Sequence, residues 1–457
     1  MFFTHLSQSC ICNLKKYTFF LLCFFLIFPA ISMCGYAGAE GNPSDAIDLE
    51  FEIPEVEKKP YAFRAELKVL ETVKGLDEDS LIFRQKYPDG LDDKTLYQTD
   101  LDLKVEGSYQ AKIAKLYARL KENLSYNDEE AWENYLRTEE VYVSLQPSPS
   151  ISLDAGKKVL KWGKGYAWNP AAFFSRPKDL DDPDATMEGY YVVSGDLIKS
   201  MGSPVKTIAL TPVILPISKN INHEWATKKE IVWGGKIYFF TLDTDLDLMF
   251  LLGKEVNDCF GFSFSKNISV NFEIHGETAI VLDYVKHITD KQGNLTEKKY
   301  DAKDFLFGVR YLTARDTTYI LEYYRNGQGY TEDEMKDYFS LIQAGYDDYI
   351  SSQNMGDLIA SRGYGSQSYN KQTVMRDYLY LKVSQKEPFE ILYLTPALTC
   401  IYNINDKSAS IAPQMTYTPI TNLELDFKAT FLFGKDYTEY GEKINDYKIL
   451  ASVKYYF

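Results

Sequence analysis

The last twelve residues, DYKILASVKYYF, alternate with period two. Tyr447, Ile449, Ala451, Val453, Tyr455 and Phe457 fall on one face, and Lys448, Leu450, Ser452, Lys454 and Tyr456 on the other. Successive side chains of a strand point to opposite sides. An apolar face bounded by aromatic residues and backed by a mostly polar face suits a strand with lipid on one side and water on the other. The pattern recurs. Leu423, Leu425, Phe427, Ala429, Phe431 and Phe433 alternate with Glu424, Asp426, Lys428 and Thr430. Over 95–106 and 110–121, apolar positions such as Leu101, Leu103, Leu116 and Leu120 alternate with charges of both signs. A dry core could not bury so many charges, whereas a water-filled lumen accepts them. No stretch after residue 39 is apolar for the ~20 residues that a membrane helix needs. A chain that crosses lipid without helices must close its strands into a barrel.

Loop lengths set the topology. Short turns are expected at Gly107-Ser108, 147–150, 243–245, 265–267, 385–388 and 419–422, and long connections at 75–94, 122–135, 162–230, 283–302, 326–371 and 434–445. Bacterial barrels put short turns in the periplasm and long loops outside. This reading gives an all-β, transmembrane antiparallel barrel over 61–457, with about sixteen strands and both ends in the periplasm. Long external loops cover 162–230 and 326–371. The apolar piece 204–215 would break the alternation if it spanned alone; with an unseen partner strand it would make eighteen.

The N-terminal 39 residues read as a secretory signal peptide. Lys15-Lys16 precedes the apolar run TFFLLCFFLIFPAIS, and Ala37-Gly38-Ala39 offers a cleavage site. Residues 40–60 would then be a periplasmic tail. Removing Lys15 and Lys16 changes the net charge from −15 to −17. Four of the six cysteines leave with the leader, and Cys259 and Cys400 remain, five strands apart in this map. At ~4.8 Å per strand they are too far apart for a disulfide. Aromatic residues make up 15% of the chain while 25% is charged, with mean hydropathy −0.29. This excludes disorder, and the acidic balance excludes a nucleic-acid footprint.

The terminal strand ending on Tyr455 and Phe457 resembles the assembly signal of Gram-negative outer-membrane β-barrels. The resemblance implies an outer-membrane location, contact with lipid and lipopolysaccharide, and recognition by the barrel assembly machinery; a homo-oligomer stays open. KWGKGYAWNPAAFFSRPKDLDDPD begins the excursion after the fifth strand. That position resembles the loop that folds into the pore of general porins. Its W-G-K-G…W-N-P arrangement is similar to porin-like outer-membrane proteins of uncharacterised function, some related to exporters of anionic polysaccharide. Lys161, Trp162, Lys164, Trp168, Arg176, Lys178 and Asp181 are therefore the constriction candidates, and residues 162–203 are expected to fold inward.

Glu273, His275 and Glu277 share one strand face. Same-face neighbours are ~6.6 Å apart, too far to converge on one ion, so they read as a luminal ladder paired with cations such as Arg310. No metal or cofactor is expected. The chain after the leader has only His223, His275 and His287, without G-x-S-x-G or H-E-x-x-H, so no enzyme is expected. Thr331 and Glu334 form a capping box ahead of Met335, Phe339 and Ile342, predicting a short amphipathic helix over the mouth. The function that fits is passive passage of small hydrophilic solutes. The alternative is a partner-dependent conduit sheath or adhesin, plugged in isolation.

Overall fold

The structure, a computed structural model, describes residues 59–128, 131–182, 185–369 and 371–457. The expected leader, and all but the last two residues of the expected tail, lie outside the described residues.

The first half of the barrel comprises β1 (Tyr61–Leu76), β2 (Thr95–Ala111), β3 (Ala114–Asn127), β4 (Ala131–Ser148), β5 (Ile151–Lys158), β6 (Tyr190–Ser200), β7 (Val205–Ile217), β8 (Glu230–Thr241) and β9 (Thr244–Leu252). The second comprises β10 (Cys259–Ser269), β11 (Phe272–Thr289), β12 (Leu295–Leu312), β13 (Thr317–Arg325), β14 (Asp377–Gln385), β15 (Leu394–Asn403), β16 (Ala409–Ile420), β17 (Leu423–Phe433) and β18 (Asn445–Tyr456). Each strand pairs antiparallel with the next, and β18 pairs with β1 to close the ring. The count among the described residues is eighteen, not sixteen.

The two extra strands are β6 and β7, inside what the sequence presented as the single excursion 162–230. The partner that 204–215 needed is 190–200, which pairs with it in the register Val193↔Ile214 and Leu197↔Leu210. The alternation in β7 is hidden because both its faces are apolar. Leu210 faces outward, whereas Val213, Leu215 and Ile217 face inward and are buried. Pro212 and Pro216 weaken the signal further, since proline usually marks an edge or a break in a sheet. The connection between β5 and β6 is therefore 159–189, and much of the rest of the expected inward stretch 162–203 is strand β6.

The outward faces mark a membrane band. On β12, Phe305, Phe307, Val309 and Tyr311 point outward, and nearer the strand's start Glu297, Lys299, Asp301 and Lys303 occupy the same face. Six residues of strand span about 20 Å, close to the ~25 Å apolar belt of outer-membrane barrels. The charged portion extends beyond that belt, so the expected loops 122–135 and 283–302 are mostly strand: β3 runs to Asn127 and β4 begins at Ala131, and the second connection shrinks to 290–294. Turns also move. Gly107 lies inside β2 opposite Ala118, and the turn is at Lys112-Ile113, where Lys112 has φ +50°. Likewise β10 continues through 265–267 and turns at 270–271. Leu242 and Asp243, both with positive φ, form the two-residue turn of β8–β9.

The C-terminus completes the seam. The Phe457 N–H donates to the Ala65 carbonyl at 2.9 Å, and the Tyr455 and Phe457 rings meet edge to face at 4.8 Å. Cys259 on β10 and Cys400 on β15 are free thiols, five strands apart.

Among the described residues, the end carrying the long connections bears three α-helices: α1 (Leu81–Lys86), α2 (Glu332–Ser352) and α3 (Gly356–Tyr364). The predicted capping box is present at the start of α2. The Thr331 hydroxyl accepts from the Glu334 N–H at 3.2 Å, and the Glu334 carboxylate accepts from the Thr331 N–H at 2.8 Å. The helix is longer than expected, at 21 residues, because Tyr338, Leu341 and Tyr349 extend its buried stripe. It is also tied to the barrel. Lys286, on β11 and almost fully buried, donates to Glu334 at 2.6 Å and to the Gly329 carbonyl at 2.7 Å. Burial alone would raise the Glu334 carboxyl, but Lys286 and the Thr331 N–H hold it below the usual glutamate range.

Candidate functional site

The site is built from the connection 159–189 and the inward faces of the strands that it touches. Its first half lies against the wall formed by β6 to β15. Trp162 and Phe174 pack edge to face at 5.4 Å and are buried with Val192, Val213, Leu215 and Met249. Gly234 makes this possible, since a Cβ there would sit 2.3 Å from the Phe174 ring. Trp168 stacks on Tyr324 at 5.0 Å between ring centres and is buried with Leu306, Ile320 and Tyr378. Its indole N–H donates to the Thr373 hydroxyl at 3.0 Å, linking the loop to the segment after α3. Each large apolar side chain covered this way contributes ~1.5–3 kcal/mol.

Two buried carboxylates hold the loop's main chain. Glu277 accepts from the N–H groups of Lys164, Gly165 (2.8 Å) and Ala171 (3.1 Å) and from the Asn169 amide (2.9 Å). Glu322 accepts from the N–H groups of Tyr166 (2.5 Å) and Ala167 (2.9 Å). His275, two residues from Glu277 on β11, reaches over β12 to place Nε2 2.9 Å from Glu322 on β13, and Gly308 on β12 provides the room for its ring. The expected ladder of Glu273, His275, Glu277 and Arg310 therefore divides. Glu273 does approach Arg310, at 3.8 Å, while His275 faces Glu322 and Glu277 serves the loop.

The charged candidates also separate. Lys164 reaches Asp247 on β9 at 3.2 Å, and Arg176 reaches Glu224 at 2.8 Å. Lys178 folds back onto the carbonyls of Gly165 (2.7 Å) and Tyr166 (2.9 Å), closing the loop on itself. Lys161 is exposed and makes no ion pair among the described residues. Asp181 turns away from this wall to meet Lys448 on β18 and Lys428 on β17. Strands β9 and β18 lie halfway round the ring from each other, so contacts from one loop reach both sides of the lumen. The return limb is fixed on β3 and β4. Arg119 donates to the Met187 carbonyl at 3.0 Å and pairs with Glu139 at 2.9 Å.

Glu322, Asp247, Lys428, Lys448 and Arg119 do not stand out in the sequence as site residues. Each is one charged inward position among many, and its partner lies far along the chain. Their only shared signal is a charge on the polar face of an alternating strand.

Burial would raise the Asp181 carboxyl, but the ammonium groups of Lys448 and Lys428 hold it below the usual aspartate range. A depressed folded value means that the contact contributes fully above the unfolded pKa of ~3.9 and is lost only as pH falls through the lower, folded value. Asp181 is 41% exposed at its side chain, so solvent screening keeps the contribution small. Protease sensitivity of residues 176–188 should stay flat from pH 7 to 5 and rise only below about pH 4. Asp181→Asn should show a small rise already at pH 7, since it removes only this contact. A rise in the parent protein between pH 6 and 5 would contradict this assignment.

No family model and no curated protein sequence matches this chain. Solved structures do. Acinetobacter baumannii OccAB1 superposes with a TM-score of 0.52 at 12% identity, covering 87% of this chain and 96% of that one. Pseudomonas aeruginosa OpdQ gives 0.48 at 11%, covering 88% and 99%. A triple mutant of the Rhodopseudomonas blastica porin gives 0.44 at 9%, covering 87% and 100%. At these identities the likeness is one of fold. The fold is that of a porin-like β-barrel.

Proposed function

We propose that this chain is an outer-membrane channel that passes small hydrophilic solutes without energy input, and that the connection 159–189 narrows it. One observation carries the reading: a single loop is bonded to Glu277 and Glu322 on one wall and to Lys428 and Lys448 on another. A barrel of this strand number encloses more space than its own side chains fill. A loop fastened across it reduces that space and places charges beside any solute that passes. Selection would then follow from size and from the charges on the loop and the facing wall. Asp181, Lys428 and Lys448 are the groups closest to this role.

The plugged, partner-dependent reading has one observation in its favour. Trp168 joins the loop to the aromatic cluster under α2, including Tyr330, Tyr338 and Phe339, so the loop and the helices form one packed layer at that end.

Planar-bilayer recordings of the purified protein separate the two. The channel reading predicts discrete ion-conducting steps and, in a salt gradient, a measurable reversal potential. Silence from a correctly folded barrel, verified by heat-modifiable migration, would support the plugged scaffold.

A further inference from the structure

A cavity of about 220 Å³ lies where the loop tip meets β15 to β18. It is smaller than the ~300–1,000 Å³ of sites for drug-sized ligands, which limits an occupant to roughly one sugar ring. Its charged lining consists of Asp179, Asp181, Lys443 and Lys448, whose formal charges cancel. Its uncharged polar lining includes Ser410, Thr430, Gln372 and Asn445, and Ile401 and Leu432 add an apolar portion. Thr430 is only 5% exposed and its hydroxyl is closed to solvent, so the groups open to an occupant are the other polar side chains of the lining.

We infer that this cavity is a binding subsite for a neutral polyhydroxylated solute of monosaccharide size, entered on the way through the channel. A sugar hydroxyl both donates and accepts. The lining matches that duality: lysine ammonium groups donate, aspartate oxygens accept, and the hydroxyls and amides do both. The apolar side chains suit the C–H face of a pyranose ring. An anion or a cation would find its charge opposed by one half of the lining, whereas a neutral polyol carries no net charge to oppose.

The inference rests on the channel reading, because the site lies inside the barrel. Its test does not require conduction. Detergent-solubilised, full-length protein is titrated calorimetrically with D-glucose, then with D-glucuronate and with glycine as anionic and zwitterionic probes. The expected result is saturable glucose binding, tighter than that of either charged probe. Lys443→Met removes a donor from the lining at similar length, so it should weaken glucose binding by about three- to tenfold, and heat-modifiable migration checks that the variant is folded. Tighter binding of glucuronate or glycine overturns the neutral-solute assignment. No glucose binding, or equal binding by folded Lys443→Met, overturns the site. Glucose binding by a protein that is silent in bilayers would leave the site standing and remove the channel.

Discussion

Glu277→Leu unhooks the loop while the barrel still folds. The carboxylate is 2% exposed and accepts from three main-chain N–H groups and one side-chain amide of residues 164–171. Leucine fills similar space and accepts nothing. Three N–H donors would then stay buried without partners, at ~1–3 kcal/mol each, or about 3–9 kcal/mol if the loop stayed in place. Undocking is the cheaper outcome, because water can satisfy those groups. The strand itself loses nothing, since β11 keeps its ladder to β10 and β12. Limited proteolysis should therefore cut within 160–189 much faster than in the parent, with heat-modifiable migration unchanged. Conductance should rise and become noisier. Glu277→Gln keeps one acceptor oxygen and should lie between the two. A Glu277→Leu protein with parental proteolysis would show that packing of Trp162 and Trp168 holds the loop without the carboxylate.

Where the two faces of a strand meet different media, the chain could be read directly. In β17 and β18, lipid-facing Phe427, Phe431, Ile449 and Val453 alternate with lumen-facing Asp426, Lys428, Lys448 and Lys454, and the contrast is plain in the residues. In β6 and β7 the contrast fails for a physical reason. The loop covers their inner face, so Val192, Val213 and Leu215 lie against Phe174 instead of water, and an apolar run without alternation resembles a buried excursion. The capping box at Thr331 was legible because its partners are three residues apart. The loop candidates Trp162, Lys164, Trp168 and Asp181 were found from local composition, and each proves to be an anchoring group. Lys161 shared that composition and makes no ion pair among the described residues. Glu322 and Asp247 were illegible because what they hold lies roughly 80 to 160 residues away in the chain, and half of it is main-chain N–H, which every sequence has.

The most direct test of a loop-narrowed channel is single-channel conductance with and without the loop. Replacing residues 164–185 by a short Gly/Ser linker removes the contacts to Glu277, Glu322, Asp247, Lys428 and Lys448 together, and keeps β5 and β6 paired through Ala155↔Val193 and its neighbours. It also removes the charges that lie nearest a passing ion, where confinement limits screening. In a variant with parental heat-modifiable migration, conductance should rise severalfold and the reversal potential in a salt gradient should move toward zero. A folded variant that conducts and selects like the parent would contradict the account, and would make the connection 159–189 a cap on a pore whose narrowest point lies elsewhere.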